Sequence, residues 1–363
     1  LWMKMIRLIN WMKVALIIPG SIWYAPYVRI YTRILDELKV DYSIISWNRE
    51  GDDKPEGIQY NVTTSSGHGS AGFKAYRGYI SFIKKTINKE GFDRIIVFGP
   101  QMTCLLSVYL LTHFRGRYMI DYRDLSIEQK PGFKQLFSLM LKYSRANVIS
   151  SPGFKRCLPK CDYYLSHNFD IQAVRDALSR EIEGSFKDKN EMIILTIGAI
   201  RDLSSNMEVV KALGNEDGVK MSFVGKGDAA IIIEEYCKNN EIKNVSFKGF
   251  YQKQEEAGFV QDATFINIFY PKIITHDTAL SNRFYNSLIY KKPMLVTKGT
   301  TQGDYAQNYQ VGVSVDNCNG LLGNLKSFIQ QDYHSYAQRC NDLLASFLKD
   351  QEQFEQAVKK FLS

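Results

Sequence analysis

Short apolar runs alternate with amphipathic helical segments along this chain, and the alternation restricts the fold more than any other feature. Residues 12–19, MKVALIIP, are almost continuously apolar, as a strand buried in a parallel sheet requires. A segment with apolar residues at helical spacing follows, and the next predicted strand covers residues 42–47. The pattern predicts right-handed strand–helix–strand units and a doubly wound parallel sheet. Further strands are predicted at residues 58–62, 94–98, 118–121 and 147–150, and helices at 73–88, 102–111 and 133–143.

The same alternation begins again near residue 192. Residues 171–190 are charged, contain Gly184 and carry one short helical pattern, so we interpret them as a linker. Because 363 residues exceed the usual size of a single hydrophobic core, we expect two domains, 12–170 and 191–332, and a closing amphipathic helix over 333–363. The strands of the second series are predicted at residues 193–197, 221–224, 245–248, 265–269, 294–296 and 311–315.

Composition and cysteine spacing favour a cytoplasmic globular protein. Apolar residues make up 45% and charged residues 23% of the chain, which are ordinary values for such a protein. The six cysteines show no CxxC spacing, so we expect reduced thiols and no structural zinc. No apolar run is long enough to predict a transmembrane helix. Residues 1–11, LWMKMIRLINW, are interpreted as an upstream extension, with a small membrane-touching anchor as the alternative.

Positive charge is concentrated in the first half of the chain. Residues 1–170 carry a net charge of +10, and residues 171–363 carry −2, within an overall charge of +8. This asymmetry favours an acidic partner, either an anionic membrane surface or a phosphate-bearing acceptor. A basic face that is only solvated is the alternative. One predicted helix carries or adjoins four lysines that could act together: Lys74, Lys84, Lys85 and Lys89.

The stretch 281–296, SNRFYNSLIYKKPMLV, predicts a short helix that leads into a strand. The free N–H groups and the positive end of the helix dipole, together with Arg283, would make a seat for phosphate. The spacing is equally compatible with an ordinary helix and strand. Neither a P-loop pattern nor a GxGxxG pattern after a strand occurs in the chain.

This stretch resembles the PNKLFEYMAAGKPVI-type segment of family-4-like glycosyltransferases. Without a gap it matches the asparagine, the basic residue, an aromatic residue and the KP pair, at Asn282, Arg283, Phe284 or Tyr285, and Lys292-Pro293. The resemblance implies the GT-B fold, in which two Rossmann-like doubly wound domains face a central cleft and a C-terminal helix returns to the first domain. It also implies a nucleotide diphosphate at the helix N-terminus and a carboxylate in the helix that holds the ribose hydroxyls. Asn286 stands at that position, and its amide can bind a hydroxyl but contributes no charge.

Other parts of the chain extend the resemblance. Asn168 and Asp170 match the region that ends the family's first domain, and GAIR places Arg201 where members bind the donor phosphates. The lysine that accompanies this basic residue in many members has no equivalent in residues 203–207. VGKG resembles another family element, and residues 249–251 correspond to the base pocket. With the strand-end residues of the first series, the predicted donor-binding set is Gly20, Ser21, Arg201, Gly225, Lys226, Gly249, Tyr251, Tyr270, Ser281, Asn282, Arg283, Tyr285 and Asn286.

Two residues are candidates for contacting the acceptor hydroxyl. Asp124 lies in DYRDL, which resembles the RDL segment of some lipid-acceptor members of the family. Alternatively, Asp124 pairs with Arg123 or caps the following turn. His68, in the Gly/Ser loop after the third strand, is the second candidate, and a merely exposed histidine is the alternative. The donor domain contains no DxD-type carboxylate pair, so no metal is predicted.

The resemblance implies transfer of a sugar from a nucleotide diphosphate sugar to a hydroxyl of a growing, lipid-linked bacterial surface glycan. We expect a hexosyltransferase-like, retaining, metal-independent enzyme without a cofactor, in the cytoplasm or peripheral on the inner face of the cell membrane. Its expected partners are the sugar donor and the glycan acceptor, not nucleic acid. A sugar-nucleotide epimerase of related fold and a non-catalytic two-domain solute-binding protein are the alternatives.

Overall fold

The computed structural model describes residues 12–51, 56–64, 72–186 and 191–363. The predictions for residues 1–11 and for His68 lie outside these ranges. The chain divides into two compact units. The first unit ends at His167 and also includes Asp350–Ser363, and the second unit is Asn168–Lys349.

A seven-stranded, fully parallel sheet forms the centre of the first unit. Its strand order is β3-β2-β1-β4-β5-β6-β7, so β1 pairs with both β2 and β4. Strand order therefore reverses beside β1, and the carboxyl ends of β1 and β4 border the resulting switch point, where α/β sheets bind ligands. The strands are β1 Lys13–Ile17, β2 Asp41–Trp47, β3 Ile58–Tyr60, β4 Arg94–Phe98, β5 Tyr118–Tyr122, β6 Ala146–Ile149 and β7 Tyr164–Leu165.

Helices and apolar clusters cover both faces of this sheet, as a doubly wound fold requires. Ala15 and Ile17 of β1 belong to one buried cluster, whereas Val14 and Leu16 belong to the other. This alternation follows from the two-residue period of a strand. The helices are α1 Val28–Glu37, α2 Phe73–Glu90, α3 Pro100–Leu105, α4 Ser107–His113 and α5 Phe133–Tyr143, with 3₁₀ turns at Ile22–Tyr24, Ile127–Gln129 and Pro152–Arg156.

The second unit has a six-stranded parallel sheet with the order β10-β9-β8-β11-β12-β13. Strand β8 pairs with β9 on one side and with β11 on the other, so this sheet also has a switch point beside its first strand. The sequence prediction of two doubly wound, Rossmann-like domains is confirmed. The strands are β8 Met192–Ile197, β9 Val219–Val224, β10 Val245–Lys248, β11 Phe265–Ile268, β12 Met294–Thr297 and β13 Gly312–Val315.

The helices of the second unit connect these strands and bury apolar residues on both faces of the sheet. Within residues 171–186, which the sequence analysis assigned to the linker, the structure has the short helix Ile171–Ser179. Asp170 caps this helix, because its side chain accepts hydrogen bonds from the N–H groups of Gln172 and Ala173. The helices are α6 Ile171–Ser179, α7 Leu203–Leu213, α8 Asp228–Asn239, α9 Glu256–Asp262, α10 Ile274–Thr278, α11 Asn282–Ile289, α12 Thr301–Asn308 and α13 Leu321–Phe328, with a 3₁₀ turn at Lys253–Glu255.

The last helix, α14, is Tyr333–Leu362 and contributes to the cores of both units. Its early residues Tyr336 and Cys340 are buried in the second unit. Phe354 and Val358 are buried in the first unit, where Glu355 also pairs with Arg33. The predicted return of a C-terminal helix to the first domain is therefore confirmed. No helix within the described ranges is long and apolar enough to cross a membrane.

Candidate functional site

A pocket of about 240 Å³ lies at the carboxyl end of the second sheet, beside the switch point between β8 and β11. The loop after β8 contributes Arg201 to it, and the loop after β11 contributes Tyr270. Ser281, at the start of α11, completes the part of the pocket that the sequence analysis predicted. The full lining is Ala199, Arg201, Asp202, Tyr270, His276, Ala279, Ser281 and Gln302.

The start of α11 is fixed by a hydrogen-bonded junction with the start of α12. The Ser281 hydroxyl accepts a hydrogen bond from the Phe284 N–H (3.3 Å) and donates one to Oε1 of Gln302 (2.7 Å). The Ser281 N–H donates to the same oxygen at 3.0 Å. Gln302 is only 2% exposed and lies in the first turn of α12. Two helix N-termini therefore meet at one pocket, and both contribute positive potential there.

Arg201 is exposed, and its guanidinium makes no hydrogen bond or ion pair with any residue in the described parts of the chain. It follows the Gly198–Ala199–Ile200 turn, in which Gly198 has a φ of +97°. An unpaired guanidinium beside two helix N-termini is suited to binding an anion, because its planar donors match phosphate oxygens.

Arg283 is surrounded quite differently, although the sequence analysis grouped it with Arg201. Its side chain is buried, and its Nε donates to the Ile197 carbonyl at 2.5 Å. Its two terminal nitrogens donate to the carbonyls of Asn267 (3.3 Å) and Ala199 (3.0 Å). Arg283 therefore ties the ends of β8 and β11 to α11, and it does not line the pocket.

A histidine and a carboxylate face the same pocket, and the sequence analysis singled out neither. Nε2 of His276 lies 3.3 Å from a carboxylate oxygen of Asp202. The His276 ring stacks on Tyr270 with the ring centres 4.8 Å apart. A signal was available in the sequence, because Asp202 directly follows Arg201 and His276 lies only five residues before the 281–296 stretch.

A second cluster forms around Glu256, the first residue of α9. The Asn286 amide nitrogen donates to Oε1 of Glu256 at 2.9 Å, and the Tyr251 hydroxyl donates to Oε2 at 2.9 Å. Lys253 pairs with Oε1 at 2.5 Å. Burial alone would raise the pKa of Glu256, but these three donors hold that pKa below its ordinary value. Burial and the Glu256 carboxylate raise the pKa of Tyr251 to about 12, so its hydroxyl remains a donor.

The structure brings some of the remaining predicted residues together and separates others. Lys226 and Gly249 follow the neighbouring strands β9 and β10, and the Lys226 ammonium lies 5.6 Å from the ring centre of exposed Phe250. Tyr285 is a core residue that packs on Phe169 and Phe347. Asn282 is exposed and accepts a hydrogen bond from Asn168.

Gly225 has a packing role. Its φ is +133°, and a side chain there would lie 2.0 Å from the carbonyl oxygen of Gly198. Glycine at position 225 therefore allows the loop after β9 to approach the loop that carries Arg201. This contact places the VGKG element beside the pocket without requiring Gly225 to contact a ligand.

In the first unit, Gly20, Ser21 and Asp124 lie at the carboxyl edge of the sheet. The Gly20 carbonyl accepts a hydrogen bond from the Trp47 N–H, and the Ser21 hydroxyl caps the turn Ile22–Tyr24 by accepting one from the Trp23 N–H. Neither residue belongs to the pocket of the second unit.

Asp124 is exposed, and its carboxylate forms no hydrogen bond or ion pair with any described residue. The suggested pairing with Arg123 does not occur, because Arg123 is bonded to Asp121 and Ser166 instead. Partial desolvation raises the pKa of Asp124, and the charge of Arg123 opposes that shift. The carboxylate is therefore available to a ligand. No group of three or more potential metal ligands occurs within the described ranges.

Solved structures with the same two-unit fold cover nearly the whole chain. Sucrose-phosphate synthase from Thermosynechococcus elongatus has a TM-score of 0.68 at 13% identity, covering 96% of this chain and 98% of that one. WaaG, a glycosyltransferase involved in lipopolysaccharide biosynthesis, has a TM-score of 0.61 at 12% identity, covering 96% and 99%. HepE of Anabaena, in complex with UDP, has a TM-score of 0.63 at 11% identity, covering 96% and 100%. The chain therefore has the fold of these GT-B proteins.

The fold alone does not distinguish between reactions. A putative UDP-N-acetylglucosamine 2-epimerase from Listeria monocytogenes has a TM-score of 0.58 at 13% identity, covering 94% of this chain and 97% of that one. No protein-family model matches the sequence, and neither does any curated protein. The choice of reaction must therefore come from the residues of the site.

Proposed function

We propose that this protein is a glycosyltransferase that moves a sugar from a nucleotide diphosphate sugar to a hydroxyl of a growing glycan. The observation that carries the proposal is the pocket at the switch point of the second sheet, where Arg201, unpaired among the described residues, lies beside the starts of α11 and α12. HepE, which has the same fold, is in complex with UDP. A diphosphate is the part of such a donor that Arg201 and the two helix starts would bind.

In the proposed mechanism, Arg201 and the N–H groups at the start of α11 hold the diphosphate. Negative charge develops on the diphosphate as the bond to the sugar breaks, so fixed positive potential there lowers the barrier. Arg283 acts indirectly, since its bonds to Ile197 and Ala199 hold the loop on which Arg201 lies. No metal and no cofactor are required in this proposal, and the sugar is transferred with retention.

The acceptor is assigned to the first unit. The Asp124 carboxylate, which has no partner among the described residues, lies at the carboxyl edge of that sheet, and partial desolvation raises its pKa, which suits contact with an acceptor hydroxyl. The positive charge of the first half of the chain suits an acceptor linked to a lipid phosphate at an anionic membrane. We therefore propose a cytoplasmic enzyme that associates peripherally with the membrane and contributes to a bacterial surface glycan.

Nucleotide binding tests the donor proposal directly. The purified protein should be stabilised by at least one member of a panel containing UDP, ADP, GDP, CDP and their sugars, since a ligand at a hundred times its Kd adds about 2.7 kcal/mol of stability. Arg201→Ala should weaken that binding by about 1–3 kcal/mol, the scale of a charge-assisted hydrogen bond. Absence of stabilisation by every member of the panel would overturn the proposal.

The epimerase alternative predicts a different product. An epimerase would convert the stabilising nucleotide sugar without an acceptor, whereas a transferase would leave its configuration unchanged. NMR of the nucleotide sugar after incubation with the protein alone separates the two reactions. Formation of the epimer would show that the protein is an epimerase and would overturn the transferase proposal.

A further inference from the structure

The Glu256 carboxylate lies beside Asn286, the residue of α11 at which the family resemblance implies a carboxylate and this chain has an amide. Asn286 lies in α11, and Glu256 begins α9, yet the Asn286 amide nitrogen and Glu256 Oε1 are only 2.9 Å apart. The Tyr251 hydroxyl donates to the other carboxylate oxygen. The carboxylate is therefore held between α11, which carries Asn286, and the loop after β10, which carries Tyr251.

We propose that Glu256 is the residue that accepts hydrogen bonds from the nucleoside hydroxyls of the donor, and that Asn286 and Tyr251 position it. The inference rests on the proposed function and assigns the nucleoside end of that site. The diphosphate pocket borders the start of α11 at Ser281, and Asn286 lies little more than one turn further along the same helix. A nucleoside attached to the diphosphate can follow this helix toward Glu256.

The chemistry of the cluster suits a ribose diol. A carboxylate accepts stronger hydrogen bonds from hydroxyls than an amide oxygen does, and acidic residues hold ribose hydroxyls in other Rossmann-like folds. Glu256 remains anionic at neutral pH because its donors lower its pKa. Its side chain is 14% exposed, whereas that of Lys253 is 77% exposed. Water therefore screens the Lys253 ion pair, and ribose hydroxyls can replace the ammonium at small cost.

This arrangement reverses an expectation from the sequence. The resemblance alone suggests that Asn286→Asp preserves or tightens nucleotide binding, because it restores a carboxylate to α11. In the structure, that carboxylate would meet Glu256 at hydrogen-bond distance, and the two negative charges would repel each other. The single substitution should therefore weaken binding. Replacing Glu256 at the same time should restore it.

The test is a double-mutant cycle with Glu256→Gln, Asn286→Asp and the two combined. Calorimetry measures Kd for the ribonucleoside diphosphate that stabilises the protein most among UDP, ADP, GDP and CDP, and for its 2′,3′-dideoxy analogue. The wild-type protein should prefer the ribonucleotide by roughly tenfold or more. Each single variant should lose most of that preference. The double variant should recover it, because the two substitutions together recreate the pair of one amide and one carboxylate with the two groups exchanged.

Glu255→Gln is the matched control. Glu255 is the preceding residue, but it bonds to Lys248 and to the Gln252 N–H rather than to Asn286. The control should keep the wild-type ribose preference, and thermal melts of all variants report whether they fold. An unchanged preference in folded Glu256→Gln, or no recovery in the double variant, overturns the inference. If the wild-type protein itself binds none of the four nucleotides, that result overturns the proposed function rather than this inference.

Discussion

Arg201 and Arg283 carry the same charge near the same two strand ends, but their surroundings assign them different tasks. Arg201 is exposed without a partner among the described residues, whereas Arg283 is buried and donates to three backbone carbonyls. A buried guanidinium stabilises a fold only while its donors are satisfied, and removing it leaves its acceptors unpaired. Arg283 is therefore expected to act mainly on stability, and Arg201 mainly on ligand binding.

Arg283→Ala should lower the free energy of unfolding by about 2–4 kcal/mol, because three carbonyls lose a charged donor. Arg201→Ala, as the matched arginine control, should change it by less than about 0.5 kcal/mol. Urea unfolding followed by circular dichroism measures both values. Equal stability of the two variants would contradict the structural role of Arg283.

The residue types could be predicted from the sequence, but their partners could not. The 281–296 motif correctly predicted a short helix that leads into a strand, because its polar start and its stop signals are local. Glu256 and Gln302 remained unrecognised, since each acquires its role from a contact with another element. Sequence separation hides such contacts: Glu256 is 30 residues from Asn286, and Gln302 is 21 residues from Ser281.

At the scale of elements, the close approach of two loops positions the pocket. Gly225 lies after β9, and the Gly198 carbonyl after β8 occupies the space that a side chain at position 225 would need. Gly249, which follows the next strand, has no atom within 4 Å of such a side chain. The two glycines look equivalent in the sequence, where each follows a predicted strand. Only packing distinguishes them.

Gly225→Ala should destabilise the second unit by about 1–3 kcal/mol, because the φ of +133° is strained for alanine and the neighbouring loop must move. Gly249→Ala should change stability by less than about 0.5 kcal/mol and serves as the control. Thermal melts of the two variants compare them. A Gly225→Ala protein as stable as the control would show that the loop accommodates a side chain freely.

Helices and strands could be predicted from the sequence more completely than the contacts of single residues. Apolar runs such as 12–19 and 193–197 predicted buried strands of a parallel sheet, and both form interior strands of their sheets. The edge strands have only two to four residues and depend more on tertiary contacts, and the two-residue strand β7 was not predicted from the sequence. The right-handedness of strand–helix–strand connections limits the possible strand orders, and the observed orders come from the structure.

At the scale of the whole molecule, basic residues on α2 form an exposed cluster in the first unit, which is the surface that the proposed membrane association would use. Lys74, Lys85 and Lys89 are exposed, and their spacing of eleven and four residues brings them to one side of the helix. Lys84 is half-buried, and its ammonium lies 5.7 Å from the ring centre of Tyr109. The Lys89 ammonium lies 3.9 Å from a carboxylate oxygen of Glu90, but its side chain is 84% exposed, so it can still reach an external anion, as can Lys74 and Lys85.

Binding to anionic vesicles should be reversible and salt-sensitive. Each basic residue at such a surface contributes about 1 kcal/mol, so replacing Lys74, Lys85 and Lys89 by glutamine should weaken binding on the order of 100-fold at low salt. Replacing exposed Lys211, Lys243 and Lys326 of the second unit by glutamine removes the same charge elsewhere and should leave binding nearly unchanged. Sedimentation with anionic and neutral vesicles measures both triple variants. Because the Debye length is about 8 Å at physiological ionic strength, raising the salt should release the wild-type protein. Equal binding to neutral vesicles, or equal losses in the two variants, would show that the α2 surface is only solvated.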